Sequence, residues 1–257
     1  MIDILRGQTI LLGRGFRLIR RQPVAIGIML IQPLIWLLLY SQLFHALPRL
    51  GGFGTSNYLE YLAPGIAVFT AFNHGAWEGG GVVQDIERGA IDRFLATPLP
   101  PNALLSSRAV QAAITGAEQA LFVVVIAVAF GARLNGGLIG LAVILIAAIL
   151  VCVAFAALNH ALGLWVRRQE TMTMVGLFTT FPLMFSSTMF TSVDQMPPWM
   201  RTVAAANPVN WAVEAARNAM LDAGWSSVGL RLGELAALVI VTETLAILAL
   251  GRYRRSL

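Results

Sequence analysis

Charged side chains are scarce in this sequence of 257 residues, at 12% of the chain, against about 25% in an ordinary soluble domain. Hydrophobic residues make up 57%, so the polar surface is too small to solvate a globule of this length. The apolar residues also stand in long blocks, and about 20 such residues are enough for a helix to cross a bilayer. These features exclude a soluble globular domain and predict an integral membrane protein.

Lysine is absent, and all 18 basic residues are arginine. A P-loop needs a lysine that holds the β- and γ-phosphates of a nucleotide, so these residues contain no such motif. Any hydrolysis of ATP would belong to another subunit. Gly79-Gly80-Gly81 is therefore interpreted as a bend or a place where helices approach closely, and not as a phosphate loop.

Cysteine occurs once, as Cys152, so an intramolecular disulfide is excluded. The three histidines, His45, His74 and His160, have no spacing typical of metal ligands. The HExxH and GxSxG motifs of metalloproteases and serine hydrolases are also absent. Neither a membrane enzyme nor a metal site is predicted.

Six apolar blocks predict an all-α polytopic membrane protein with six transmembrane helices in one domain, residues 1–257. The second block is the weakest, because Asn73, His74 and Glu78 interrupt it, and it is interpreted as a broken or cavity-facing span. No cleavable signal peptide is expected, since the first block is too long and no small-residue cleavage site follows it. The blocks are residues 24–47, 61–82, 109–131, 137–165, 171–193 and 233–251.

The arginines predict the orientation, because positive charge in short loops prefers the cytoplasm. With the N-terminus inside, 13 arginines lie in cytoplasmic segments and 5 in outer segments. An even number of spans places both basic termini in the cytoplasm. We therefore attribute the net charge of +5 to membrane orientation, and no nucleic-acid partner is expected.

Residues 3–21 are predicted to form an amphipathic helix in the membrane interface. At about 100° per residue, five arginines fall on one third of its circumference and most apolar residues fall opposite. Such a helix faces lipid with its apolar side and anionic headgroups with its arginines. It is either a topology anchor or also a docking surface for a partner. The arginines are Arg6, Arg14, Arg17, Arg20 and Arg21.

The loop after the second block, residues 84–100, carries acids and arginines at helical spacing beside a short apolar ridge. Thr97-Pro98 ends the helical pattern. The loop is either a solvated connector or a rigid charged helix that enters the groove of a partner protein. Its charged residues include Glu87, Arg88, Asp92 and Arg93, and its ridge is Ile91, Phe94 and Leu95.

Two groups inside the apolar blocks are candidates for a path through the membrane. One is an aromatic face of the fifth block, which is either a gate and ligand surface or ordinary packing; Pro182 should kink it. The other is a pair of carboxylates, which are costly at membrane depth and functional by default. For Glu243 a hydrogen bond between helices is favoured. The residues are Phe178, Phe181, Pro182, Phe185, Ser186 and Met189, and Glu118 and Glu243.

The pattern Glu-Arg-Gly-x-x-x-Arg-x-Leu-x-Thr-Pro, Glu87 to Pro98, resembles the loop after the second span in type-2 ABC-transporter permeases. Later motifs are similar to that family in order and spacing. The subgroup that the chain resembles most is the daunorubicin/doxorubicin-resistance-type permeases. The later motifs are Phe181-Pro182-Leu183-Met184-Phe185-Ser186-Ser187, Met196-Pro197-Pro198-Trp199-Met200, Asn207-Pro208-Val209-Asn210 and Ala216-Arg217.

The resemblance implies a permease of the bacterial inner membrane that pairs with a second copy or homologue. Two separate ATP-binding subunits would bind ATP and magnesium, and this chain would bind no cofactor. Residues Glu87 to Leu95, with Gly89 among them, would be the coupling helix that enters the ATPase cleft. The first, second and fifth spans would line the path, and a re-entrant segment, residues 194–225, would cap it.

Among exporters of this type, the apolar face rich in methionine and phenylalanine favours an amphipathic drug or a lipid as the cargo. Polysaccharide and glycolipid exporters share the architecture, and Trp36 and Tyr40, one turn apart, are a small indication of stacking on sugars. A cation-coupled secondary transporter is a further alternative, but it predicts internal repeats and no convincing repeat is visible.

Overall fold

The computed structural model describes residues 23–96 and 102–255, which form α-helices joined by turns, with no β-strand in those ranges. Two short 3-10 turns, Leu47–Leu50 and Val193–Gln195, lie in the connections. The all-α class is thereby confirmed. The helices are α1 (Pro23–Leu43), α2 (Tyr58–Glu87), α3 (Ala90–Leu95), α4 (Asn102–Ala129), α5 (Gly137–Val166), α6 (Gln169–Phe185), α7 (Pro198–Ala206), α8 (Pro208–Leu221) and α9 (Trp225–Arg255).

Within the described ranges, three helices are long and apolar enough to cross a membrane, namely α4, α5 and α9. Residues Ile31–Leu43 of α1 form a shorter apolar stretch. Polar residues interrupt the apolar pattern of helix α2, but its 30 residues extend about 45 Å, more than the ~30 Å of a hydrocarbon core. The chain is a multi-pass membrane protein.

Helix α2 is continuous, so the interpretation of the second block as a broken span is wrong. It begins at a regular cap, because the side chain of Asn57 accepts a hydrogen bond from the backbone N–H of Leu59 at 3.0 Å. Pro64 lies near its first turns without ending it. The polar residues that weaken the apolar pattern instead face a cavity.

Glycines bring α2 and α5 close together. An added Cβ on Gly75 would collide with the carbonyl oxygen of Cys152, and one on Gly79 would lie 2.7 Å from that of Asn159. A Cβ on Gly81 would meet Arg108 at 3.7 Å, which is ordinary contact. Residues 79–81 therefore include one position, Gly79, that close helix approach requires.

Two buried clusters of the described residues hold the bundle together. The larger contains side chains of α1, α2, α4, α5, α6, α8 and α9. The smaller lies where α3 meets the end of α9, and its members include Val82, Ile91, Leu105, Leu250 and Tyr253. We call that side of the molecule the arginine-rich end, because the last turn of α9 holds Arg252, Arg254 and Arg255.

The structure corrects the ends of two apolar blocks. Helix α1 ends at Leu43 and is followed by a turn, so block 24–47 overruns the helix. Helix α6 ends at Phe185, three residues after Pro182, so block 171–193 is not one span. The chain then runs through an irregular segment, residues 186–197, to α7 and α8.

Candidate functional site

A cavity of about 480 Å³ lies between α1, α2 and α4, within the size range of small-molecule sites. Helix α2 supplies most of its described lining, and α6 supplies none of it. The amide oxygen of Gln119 is buried at this wall, and none of the residues that the structure describes donates a hydrogen bond to it. The lining residues are Gln32, Pro33, Trp36, Ile66, Phe69, Thr70, Asn73, His74, Trp77, Glu78 and Gln119.

Stacked rings form the apolar side of the cavity. Trp36 and Tyr40 are one helical turn apart, and their rings are parallel within 5° with centroids 5.5 Å apart. Phe69 of α2 stacks on Trp36 at 6.2 Å, and Phe190 lies 5.4 Å from Trp36. The pair singled out in the sequence therefore belongs to a larger cluster of aromatic rings, of which Trp36 and Phe69 face the cavity.

A charged group closes the polar side of the cavity. The carboxylate of Glu78 lies between two histidines, since the Nε2 atoms of His74 and His160 are each 3.4 Å from one of its oxygens. Arg108 Nη1 lies 3.8 Å from Glu78, and Arg108 also pairs with Asp85. We call these five residues the Glu78 cluster. Its basic partners offset the cost of placing a carboxylate at membrane depth.

The sequence carries a local signal for the Glu78 cluster in the polar residues that interrupt the second block. Glu78 is an acid within an apolar block, and His74 lies four residues before it, on the same helix face. Arg108 and His160 come from α4 and α5, and their proximity depends on the tertiary fold. The two carboxylates chosen from sequence were Glu118 and Glu243 instead.

Glu118 and Glu243 lie away from this cluster. Glu118 is exposed on α4, and Gln111, on the same face, is exposed too. Glu243 is half-buried on α9. In the part of the chain that the structure describes, neither carboxylate forms an ion pair or a side-chain hydrogen bond, so the interhelical bond favoured for Glu243 is not observed there.

The aromatic face of the fifth block is only partly as predicted. Phe178, Phe181 and Phe185 are 77%, 49% and 58% exposed, and the last two stack at 6.4 Å. Met189 lies beyond the end of α6 and is fully buried, so its place on this face is wrong. Ser186 also follows the helix end, and its hydroxyl accepts a hydrogen bond from Asn207 Nδ2 at 3.0 Å.

The charged loop forms a shorter helix than predicted. Glu87 is the last residue of α2, and α3 begins at Ala90, so Glu87 to Leu95 is not one helix. Gly89 has φ of 63°, in the left-handed region that favours glycine. It separates the two helices by a tight turn. Arg93 braces this turn by donating from Nη2 to the carbonyl oxygen of Arg88 at 2.9 Å.

Helix α3 is fixed on one side and exposed on the other. Ile91 is buried in the smaller cluster, and Asp92 accepts a hydrogen bond from the Tyr253 hydroxyl at 2.8 Å. The guanidinium of Arg167 lies 4.6 Å above the Tyr253 ring. Asp92 and Arg93 of α3 are exposed, and so are Glu87 and Arg88 directly before it, whereas Phe94 is half-buried.

Arg217 organises the irregular segment after α6. It is 7% exposed, and its Nη groups donate to the backbone oxygen of Thr188 at 2.7 Å and to the hydroxyl of Thr188 at 3.1 Å. Its Nε donates to the carbonyl oxygen of Tyr61 at 3.2 Å, and its guanidinium lies 3.6 Å above the Tyr61 ring. Non-helical backbone at membrane depth requires such internal partners.

Neighbouring side chains complete this support. Tyr58 donates to the carbonyl oxygen of Phe190 at 2.7 Å, and Asn210 Oδ1 accepts from the backbone N–H of Thr188 at 2.8 Å. Helix α8 begins with Asn207 as its cap and Pro208 in its first turn. Predicted segment 194–225 thus contains two helices, of which α8 is packed into the core.

Some predicted residues lie outside the described ranges. These are Arg6, Arg14, Arg17, Arg20 and Arg21 of the predicted interfacial helix, the side chain of Leu95, and Thr97 and Pro98. Among the residues that the structure does describe, no group of three or more His, Cys, Asp or Glu side chains is arranged to hold a metal ion.

Comparison with known proteins identifies the family. The profile of the ABC-2 type transporter family matches residues 8–221. The chain is 28% identical over 233 residues to the daunorubicin resistance ABC transporter permease protein DrrB1 of Streptomyces coeruleorubidus. The matched residues cover 90% of this chain and 81% of that protein. It is 29% identical over 259 residues to a putative transport permease, ycf38, of Porphyra purpurea, covering 98% and 88%. The chain belongs to the ABC-2 type transporter family of permeases.

Proposed function

We propose that this chain is the membrane-spanning subunit of an exporter that moves amphipathic drugs or lipids out of the cytoplasm or the inner leaflet. Separate subunits would bind ATP and magnesium and drive it. One observation carries the proposal: α2 lines the cavity from Ile66 to Glu78 and continues unbroken to Glu87, directly before α3. A force applied to the exposed side of α3 would thus reach the cavity along one helix.

The arrangement of the arginine-rich end supports a docking role for α3. A short helix held by Ile91 and by the Asp92–Tyr253 bond presents its charges in a fixed position. Two ATP-binding subunits would dock there, one on each of two permease copies. In the topology that we propose, the arginine-rich end and both termini would lie in the cytoplasm of a bacterial cell.

Exposed groups at membrane depth support pairing with a second permease copy. Glu118 and Gln111 lie on the surface of α4, and a carboxylate facing lipid is costly. The three phenylalanines of α6 are also exposed. A second copy, or a wet path between two copies, would cover these faces, and Phe181 and Phe185 would then contact cargo at the seam.

The walls of the cavity support an amphipathic cargo. Trp36, Phe69 and Trp77 offer apolar contact, while Asn73 and Gln119 offer hydrogen-bonding groups. Small-molecule sites combine these features. Aromatic walls also stack on sugar rings, so a glycolipid or polysaccharide is the alternative cargo.

Trp36→Ala tests the cavity as the cargo site. We expect it to weaken binding of a fluorescent amphipathic aromatic drug about fivefold to tenfold, because a stacked aromatic side chain contributes roughly 1 kcal/mol beyond its buried area. Phe122→Ala is the control, since Phe122 is half-exposed on α4 outside the cavity. Binding should be measured on purified protein and export in intact cells.

Unchanged drug binding by the Trp36→Ala variant would show that the cavity is not the cargo site. The double variant Phe181→Ala/Phe185→Ala tests the exposed aromatic face of α6. An altered cargo profile or a leak would assign that face to the transport path, and an unchanged profile would assign it to packing. If the Trp36→Ala variant lost export of a glycolipid but kept export of the drug, the alternative cargo would be favoured.

A further inference from the structure

A second concave surface lies at the arginine-rich end, between the C-terminal halves of α5 and α9. It encloses about 790 Å³ and shares no residue with the cavity of α1, α2 and α4. Its walls are apolar, with Leu162 on α5 and Leu245 and Leu248 on α9, and three arginines stand at its end, Arg167, Arg252 and Arg255.

We propose that this groove binds one anionic phospholipid of the cytoplasmic leaflet. Its phosphate would lie at Arg252 and Arg255, and an acyl chain would lie along Leu162 and Leu248. The leaflet follows from the proposed topology, whereas the binding itself does not depend on transport. Basic pockets between transmembrane helices are known to take anionic headgroups.

Charge at the groove supports an anionic occupant. No acidic residue is among its described lining. In the described part of the chain, neither Arg252 nor Arg255 forms an ion pair or a side-chain hydrogen bond. Arginines in the last turn of a helix also interact with the helix dipole. Arg254 shares this turn with Arg252 and Arg255 but is not among the described lining of the groove, so it is a matched control for them.

The length of the groove fits one lipid leaflet. Leu158 and Arg167 are nine residues apart along the chain, and Leu245 and Arg255 are ten apart, which corresponds to about 15 Å of helix. That is half of the ~30 Å hydrocarbon core. Trp165, 77% exposed, lies beside the arginines, where the aromatic belt of a membrane interface is expected.

Other occupants fit less well. The predicted interfacial helix carries five arginines and would meet charges of the same sign, and α1, which follows it, packs mainly against α2 and α4. A second copy related by twofold symmetry would bring the same three arginines to the interface from both sides, which adds charge repulsion. A water-soluble ATPase subunit would not fill apolar walls that extend into the bilayer.

A lipid in the groove would touch the anchor of α3. The Tyr253 ring lines the groove, and its hydroxyl holds Asp92 of α3 at 2.8 Å. The bound headgroup would therefore lie next to the contact that fixes α3. Through this contact, the amount of anionic lipid in the membrane would affect how firmly α3 is held in position.

Native mass spectrometry of the full chain in non-ionic detergent tests the proposal, with phosphatidylglycerol and phosphatidylcholine of the same acyl chains. We expect preferential retention of one phosphatidylglycerol. Arg252→Gln and Arg255→Gln should each lower that retention about fivefold, the effect of roughly one arginine near an anionic lipid. Arg254→Gln should change it less than about twofold, because Arg254 is not among the described residues that line the groove and would not contact the bound headgroup.

Three results would overturn the proposal. Equal retention of both lipids would show that charge does not select the occupant. An equal loss in Arg254→Gln would show diffuse attraction to the helix end. Disulfide formation between two copies through Leu248→Cys, in a Cys152→Ala background, would show that a second copy covers the groove. As a second measurement, brominated phosphatidylglycerol should quench tryptophan fluorescence less in Trp165→Phe than in the unaltered protein.

Discussion

Replacement of Arg217 by methionine is expected to destabilise the folded protein by about 3 kcal/mol, because a buried hydrogen bond from a charged group contributes roughly 1.5–3 kcal/mol. Arg217 donates to backbone oxygens of both α2 and the irregular segment after α6. Methionine keeps the length of the side chain but leaves these oxygens with fewer donors. No water replaces the donors, since the guanidinium is buried.

The measurement uses the single cysteine of the chain. Cys152 is fully buried, so a fluorogenic thiol reagent reports unfolding as the thiol becomes accessible. Arg201→Met is the matched control: Arg201 also donates to two backbone oxygens, those of Met196 and Asp194, each at 2.8 Å. Arg201 is exposed, so water replaces its bonds and a change below about 0.5 kcal/mol is expected. Equal unfolding midpoints for the two variants would contradict the role of Arg217.

Replacement of Glu87 by alanine is expected to lower export at least about tenfold while ATP hydrolysis by the partner continues, because a central interface contact contributes roughly 2 kcal/mol. Glu87 is exposed at the end of α2, and within the described residues it forms no ion pair. Its loss should therefore act on the docked partner and leave the fold of this chain intact. Arg93→Ala should uncouple as well, but it also removes the brace on the carbonyl oxygens of Gly89 and Arg88.

Glu170→Ala is the control for the loss of one negative charge. Glu170 is exposed in the first turn of α6, at the arginine-rich end but outside the loop that contains α3. Export by this variant should stay within about twofold of the unaltered protein, as for ordinary surface substitutions. Wild-type export by both Glu87→Ala and Arg93→Ala would refute the coupling role of the loop.

The sequence was sufficient for the class of protein and for most helices, because membrane depth imposes long apolar runs. Helix α5, Gly137–Val166, differs by one residue from the apolar block 137–165. The charged loop also stood out, because its acids and arginines interrupt that pattern. Its division into two helices at Gly89 was not predicted, since a glycine next to a helical pattern is compatible with either continuation or a turn.

Features that depend on distant residues were beyond the sequence. The end of α6 at Phe185 follows from Tyr61, Asn210 and Arg217, whose side chains satisfy the irregular backbone from other helices. An apolar block alone gives no sign of such partners. The Glu78 cluster likewise draws on three helices. Only the His74–Glu78 pair was visible as a local spacing.

The proposed function requires a separate ATP-binding subunit to dock on the loop that contains α3. The most direct test is a Glu87→Cys variant in a Cys152→Ala background, treated in its native membrane with a photoactivatable thiol cross-linker and analysed by mass spectrometry. We expect a cross-linked product between residue 87 and a protein with a P-loop. Repeated recovery of folded, intact protein with no P-loop protein attached would contradict it and would favour a gradient-driven transporter.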